Sequence, residues 1–177
     1  MKKILISAGH GGSDPGACGN NYVEAVLATK LRDSIYNRLE QAKVPVIRDG
    51  LDGTNETLKK SILLAKIVDI AVEIHFNASE NPAATGIEAL AHPNNKTLSQ
   101  ELCKAISSVT GISLRGGLHG WKDPSSGQHH RLGFCEAGGI ILEVCFISNT
   151  SDMQAYINNK TLVATELAKV LASYAKE

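Results

Sequence analysis

The sequence lacks a long apolar run, an excess of charge of either sign, and any close pair of cysteines. No stretch approaches the ~18 consecutive apolar residues of a membrane span. Lysine plus arginine and aspartate plus glutamate both number 18, so the formal net charge is zero. Broad electrostatic binding to nucleic acid or to an anionic membrane needs a basic surface, so neither partner is expected. None of Cys18, Cys103, Cys135 and Cys145 belongs to a C-x-x-C pair, which argues against a structural zinc knuckle. The N-terminus has two lysines but only Ile4-Leu5-Ile6 behind them. That is shorter than the ~7–15 apolar residues of a secretion signal and reads better as a buried strand. A soluble chain with no export address and free thiols is the expectation.

What the chain does have is material for a core. It is 177 residues long and 43% hydrophobic, which fits one domain of ordinary size. Apolar runs at residues 2–7, 44–48, 70–76, 86–91 and 140–146 read as strands. Between them, three- and four-residue apolar spacing predicts helices over 22–41, 94–109, 151–156 and 162–174. Thr54 is a candidate N-cap for a helix through about residue 67. Gly111 follows the 94–109 helix, where a left-handed residue is needed. Residues 113–139 read as a long irregular loop of functional length. Strands alternating with helices imply an α/β fold. The expected form is a single three-layer α/β/α domain over residues 1–177, with a largely parallel mixed sheet of about six strands.

In such sheets, sites form beyond the carboxyl ends of the strands. His10 lies just past the first strand, in Gly9-His10-Gly11-Gly12-Ser13-Asp14-Pro15-Gly16. That loop is neither a P-loop, which needs Lys-Ser or Lys-Thr, nor a dinucleotide fingerprint, whose last glycine is replaced by Asp14. A histidine among glycines points to metal instead. His75 ends the third strand and shares a face with Glu73; it is either a satisfied core histidine or a ligand. Glu143 interrupts the apolar run Ile140-Ile141-Leu142-Glu143-Val144-Cys145-Phe146. It must be paired, for instance in a structural salt bridge with Arg131, protonated, or placed near a cation for function. Glu24, at the start of a helix, either complements the helix dipole or ligates. His119, His129, His130 and Arg131 are candidates for substrate contact from the long loop. Trp121 either stacks on a sugar or anchors that loop, and His92 before Pro93 reads as structural.

Four motifs together resemble the zinc-dependent N-acetylmuramoyl-L-alanine amidases of bacterial autolysins and phage endolysins. They are Gly9 through Ala17, Glu24 at a helix start, Ile74-His75-Phe76-Asn77-Ala78, and Leu142-Glu143-Val144-Cys145-Phe146-Ile147-Ser148-Asn149. The resemblance implies one catalytic zinc ion held by His10, Glu24 and His75, with Glu143 as the catalytic carboxylate. It implies cleavage of the amide between the lactyl group of N-acetylmuramic acid and L-alanine of the peptidoglycan stem peptide. The chain departs from the family at Ser7-Ala8, where Asp-Pro is common, at Glu73, where many members have Ser, and at Cys145, where many have Gly. The expectation is a monomeric catalytic domain without a separate wall-binding domain. It would be cytoplasmic before release to the wall, or exported in a form made with a signal peptide. A zinc peptidase and a wall-binding module that does not turn over are the competing readings.

Overall fold

The computed structural model describes residues 1–116, 119–126 and 132–176. In chain order, β1 (Ile4–Ala8) leads to a hairpin of β2 (Cys18–Gly19) and β3 (Tyr22–Val23). Then come α1 (Glu24–Gln41), β4 (Val46–Arg48), α2 (Leu58–Ala65), β5 (Ile70–Asn77), β6 (Glu88–Leu90) and α3 (Lys96–Thr110). The chain closes with β7 (Trp121–Lys122), α4 (Gly133–Glu136), β8 (Ile140–Phe146) and α5 (Thr150–Tyr174). The six-stranded sheet has the order β4-β1-β5-β8-β6-β7, parallel except where β6 runs against β8. This is the expected three-layer α/β/α arrangement with a mixed, largely parallel sheet.

Strand alternation divides the core into two layers. Ile4, Ile6, Val72, Ile74, Phe76, Leu142 and Val144 pack with residues of α1, α3 and α5. Leu5, Ala71 and Ile141 face the other way, against Ala65 of α2 and Phe134 and Cys135 of α4. Glu73, His75 and Glu143 alternate onto this second, thinner side. There α2 and α4 are short, which leaves the carboxyl end of the sheet open to solvent. Between Glu143 and Phe146, β8 carries one residue more than β5 does between His75 and Asn77. This bulge turns Val144 and Cys145 both into the larger core layer and ends regular pairing just beyond Glu143.

Several boundaries differ from the sequence expectation, each for a local reason. The first long helix starts at Glu24 rather than at residue 22. Asn20 and Asn21 both adopt positive φ (48° and 64°), making the tight turn that a two-residue hairpin requires. α2 is capped by Thr57, whose side chain accepts the Lys60 N–H, and not by Thr54. Thr54 is held in the preceding loop, where its carbonyl accepts a 2.7 Å bond from Arg32. The two predicted C-terminal helices are one continuous α5 capped by Asn149, because the polar stretch at 158–161 contains neither Gly nor Pro. Gly111 does end α3 in the left-handed region, with φ 74°. The supposedly irregular loop contains β7 and α4; Trp121 donates its indole N–H to the Ala91 carbonyl at 2.8 Å and so anchors it. All four cysteines are free. Among the described residues, no helix is long and apolar enough to cross a membrane.

Candidate active site

Three loops and strands converge at the carboxyl end of the sheet. β1 stops at Ala8, and Gly9 donates its N–H to Ile74 of β5, which brings the glycine loop over β5. His10 then takes a left-handed conformation, φ 62°, uncommon for a residue with a Cβ although histidine is enriched among the exceptions. The β2–β3 hairpin delivers Glu24 as the first residue of α1, facing the same point. His75 comes from the third-from-last position of β5. The candidate ligand atoms of His10, Glu24 and His75 all lie within 4.8 Å of one another.

Each member of this cluster is held on its far side. Glu24 is buried, and its two oxygens accept the backbone N–H groups of Phe76 (3.0 Å) and Ala17 (2.8 Å). The same oxygens face the rings: His75 Nδ1 is 3.0 Å from Oε1, and His10 Nε2 is 3.2 Å from Oε2. The outward nitrogen of each ring meets a carboxylate. His10 Nδ1 lies 2.8 Å from Asp14, and His75 Nε2 lies 3.0 Å from Glu73. The rings stand edge to face, with centroids 5.0 Å apart. Glycine is needed close by. A Cβ on Gly9 would fall 2.2 Å from the His75 ring, and one on Gly16 would fall 2.6 Å from His10 and 2.7 Å from Glu24.

The electrostatics follow from this packing. Burial would raise the Glu24 carboxyl, but bonds from both imidazoles and two backbone N–H groups outweigh it and hold Glu24 well below the ordinary carboxylate range. Burial opposes protonation of His75, yet Glu24 and Glu73 raise it to about 10. The bond to Glu24 raises His10, against its partial burial, with Asp14 adding to the rise.

Glu143 completes the group. Strand register sets it beside His75 on one flank and Glu88 on the other. Burial pushes its carboxyl up to about 7; His75 pulls against this while Glu24 and Glu88 add to it. Its Oε2 is buried and has no hydrogen-bond partner among the described residues. The alternative salt-bridge partner, Arg131, lies outside the described residues, as do His129 and His130. His119 is exposed and left-handed, with φ 53°. His92 faces Glu136 at 3.2 Å, in keeping with a structural role.

Sequence reasoning placed the four central residues but missed their supports. Asp14 was visible only as part of the glycine-loop motif, and Glu73 only as the residue sharing a strand face with His75, with no bond to either imidazole assigned. Glu88 accepts Asn77 at 2.8 Å and Arg115 at 3.2 Å, and nothing in its short strand announced this. A cleft of about 370 Å³ opens at the cluster, lined by His10, His75, Leu58, Leu132 and Phe134. A second, of about 680 Å³, is lined by Glu88, Arg115, Trp121 and Lys122.

The family described as N-acetylmuramoyl-L-alanine amidase (Amidase_3) matches residues 4–173. A solved structure from Neisseria meningitidis, of a protein provisionally named N-acetylmuramoyl-L-alanine amidase, is similar at 38% identity. Its TM-score is 0.89, covering 98% of this chain and 95% of that one. The catalytic domain of the amidase CwlV from Bacillus (Paenibacillus) polymyxa var. colistinus shares the fold. There the TM-score is 0.83 at 24% identity, over 98% of both chains. The amidase CwlM of Bacillus licheniformis is 26% identical over 162 residues, 87% of this chain and 60% of that protein's length. With its match running almost end to end, the chain belongs to the N-acetylmuramoyl-L-alanine amidase family.

Proposed function

We propose that this chain is a zinc-dependent N-acetylmuramoyl-L-alanine amidase that hydrolyses the bond between the lactyl group of N-acetylmuramic acid and L-alanine in peptidoglycan. The observation that carries the reading is the convergence of His10, Glu24 and His75 next to a buried Glu143 oxygen that has no hydrogen-bond partner among the described residues. Family membership supplies the substrate class.

The donor set suits zinc. Two imidazoles and one carboxylate are the three protein ligands of a catalytic zinc site. Each imidazole is backed by a carboxylate, the arrangement that fixes tautomer and ring orientation in ligating histidines. When bound, zinc would supply a Lewis acid and lower the pKa of its water toward ~7. Glu143 is then the proton carrier. Its carboxylate takes a proton from the attacking water, the water oxygen bonds to the lactyl carbonyl carbon, and Glu143 returns the proton to the alanine nitrogen as the C–N bond breaks. A carboxyl with a pKa near neutrality suits both halves of that transfer. Glu24 is held by the backbone N–H groups of Phe76 and Ala17, which would fix the orientation of its carboxylate as a ligand.

Purified peptidoglycan incubated with the protein should yield new L-alanine amino termini and no new sugar reducing ends. Chelator should abolish the release and added zinc restore it. Release of other amino termini would make the chain a peptidase, and binding to walls without release would make it a binding module.

A further inference from the structure

We infer that Asn55 is a positioning residue for His10, anchored from behind by the buried guanidinium of Arg32; the inference rests on the metal-site reading above. His10 leaves the sheet in a left-handed conformation, and its loop has little regular structure to hold it. Gly11 and Asp14 bond to each other through their backbones, which closes the loop tip, but among the described residues no backbone donor outside the helices and strands reaches the carbonyls of Ala8 and His10. Asn55 claims both. Its Nδ2 donates to the Ala8 carbonyl at 2.5 Å and to the His10 carbonyl. The backbone on both sides of Gly9 is therefore clamped by one side-chain amide. The loop presses closely here, since a Cβ on Gly11 would come within 2.8 Å of the Asn55 Cβ.

The clamp has a rigid base. Asn55 Oδ1 accepts the Glu56 N–H at 2.8 Å and faces Arg32 Nη1 at 3.4 Å. Arg32 is fully buried, and all of its nitrogens are used. Nε and Nη2 donate to Asp33, Nη1 to Asp49 at 3.0 Å, and Nη2 also to the carbonyls of Leu51 and Thr54. A buried guanidinium in this setting is fixed by its planar fork, which a lysine cannot reproduce. Arg32 lies eight residues, about two turns, after Glu24 on α1. One helix therefore carries one ligand directly and steadies a second through Arg32 and Asn55, which sets the Glu24–His10 separation.

If Asn55 served only to order the loop at 49–57, its loss would lower stability and leave metal affinity alone. A positioning role predicts weaker metal binding by a folded protein. Supporting groups of this kind typically contribute about 10–100-fold in metal affinity. The test is a competitive zinc titration against a chromophoric chelator on Asn55→Leu, Arg32→Lys and Thr54→Val, with folding checked by circular dichroism. Cobalt(II) spectra of the same proteins report ligand geometry. Asn55→Leu and Arg32→Lys should bind zinc roughly 10–100-fold more weakly and shift the cobalt bands. Thr54→Val removes only a loop-internal hydroxyl bond and should bind zinc as the wild type does. Should Asn55→Leu fail to fold, Asn55→Ser takes its place in the titration. A folded Asn55 variant with wild-type zinc affinity and cobalt spectrum overturns the inference. A wild-type protein that takes up no zinc overturns the metal-site reading instead.

Discussion

Gly16 is wedged between two of the proposed ligands, and Gly12, four residues earlier, is not. Both adopt nearly the same left-handed conformation, φ 65° and 62°. A Cβ on Gly16 would meet His10 at 2.6 Å and Glu24 at 2.7 Å, whereas one on Gly12 would meet nothing within 4 Å. Substituting alanine at each site therefore separates backbone cost from collision. The left-handed region costs a residue with a Cβ roughly 1–2 kcal/mol, and both variants incur it. For a domain of this size that lowers Tm by roughly 2–8 °C. Gly16→Ala adds overpacking, typically about 1–3 kcal/mol. Neither neighbour can retreat freely, because Glu24 is tied to Phe76 and Ala17 and His10 to Asp14. The collision must then displace ligands, and about 1–3 kcal/mol appears in binding as roughly 5–150-fold weaker zinc affinity. Thermal melts of the zinc-free proteins and chelator-competition titrations give both quantities. Equal zinc affinities for Gly12→Ala and Gly16→Ala would refute the claim that the two ligand side chains hold a fixed spacing around that glycine.

Replacing Glu143 by Gln keeps the shape but removes the proton carrier. Turnover should fall about 100- to 10,000-fold with one zinc still bound, measured by amine release and elemental analysis. Glu73→Ala leaves His75 Nε2 without its carboxylate and should weaken zinc binding about 10–100-fold, read by the same titration. Zinc affinity should also rise with pH. His75, raised to about 10, holds a proton at neutral pH that metal must displace, and the rise at His10 acts in the same direction. Below those pKa values, each proton released adds about one to the slope of log affinity against pH. A flat profile between pH 6 and 8 would mean that neither imidazole is a ligand.

Much of this arrangement is legible in the sequence. A run as apolar as Ile140–Phe146, broken only by Glu143, reads as a strand buried on both faces, and the strand-end rule then points at His10, His75 and Glu143. Single residues remained ambiguous. Glu24 alone could be a dipole partner and His75 alone a core histidine, until their motifs were taken together. What stayed hidden was polar and nonlocal. Asn55 and Arg32 lie in or behind a loop whose path depends on contacts between residues 23 apart. Periodicity carries no trace of such bonds, and they also drew Thr54 away from the helix start that its residue type suggested. Likewise, the hairpin turn at Asn20-Asn21 cut into a helical apolar pattern that spacing alone extended backwards to residue 22.

The central claim is tested most directly by mass spectrometry of muropeptides after digestion of purified peptidoglycan, with and without chelator. The account predicts intact glycan strands separated from stem peptides that begin with free L-alanine, formed only when zinc is available. Products cut within the peptide or the glycan, or the same products in the presence of excess chelator, would contradict it.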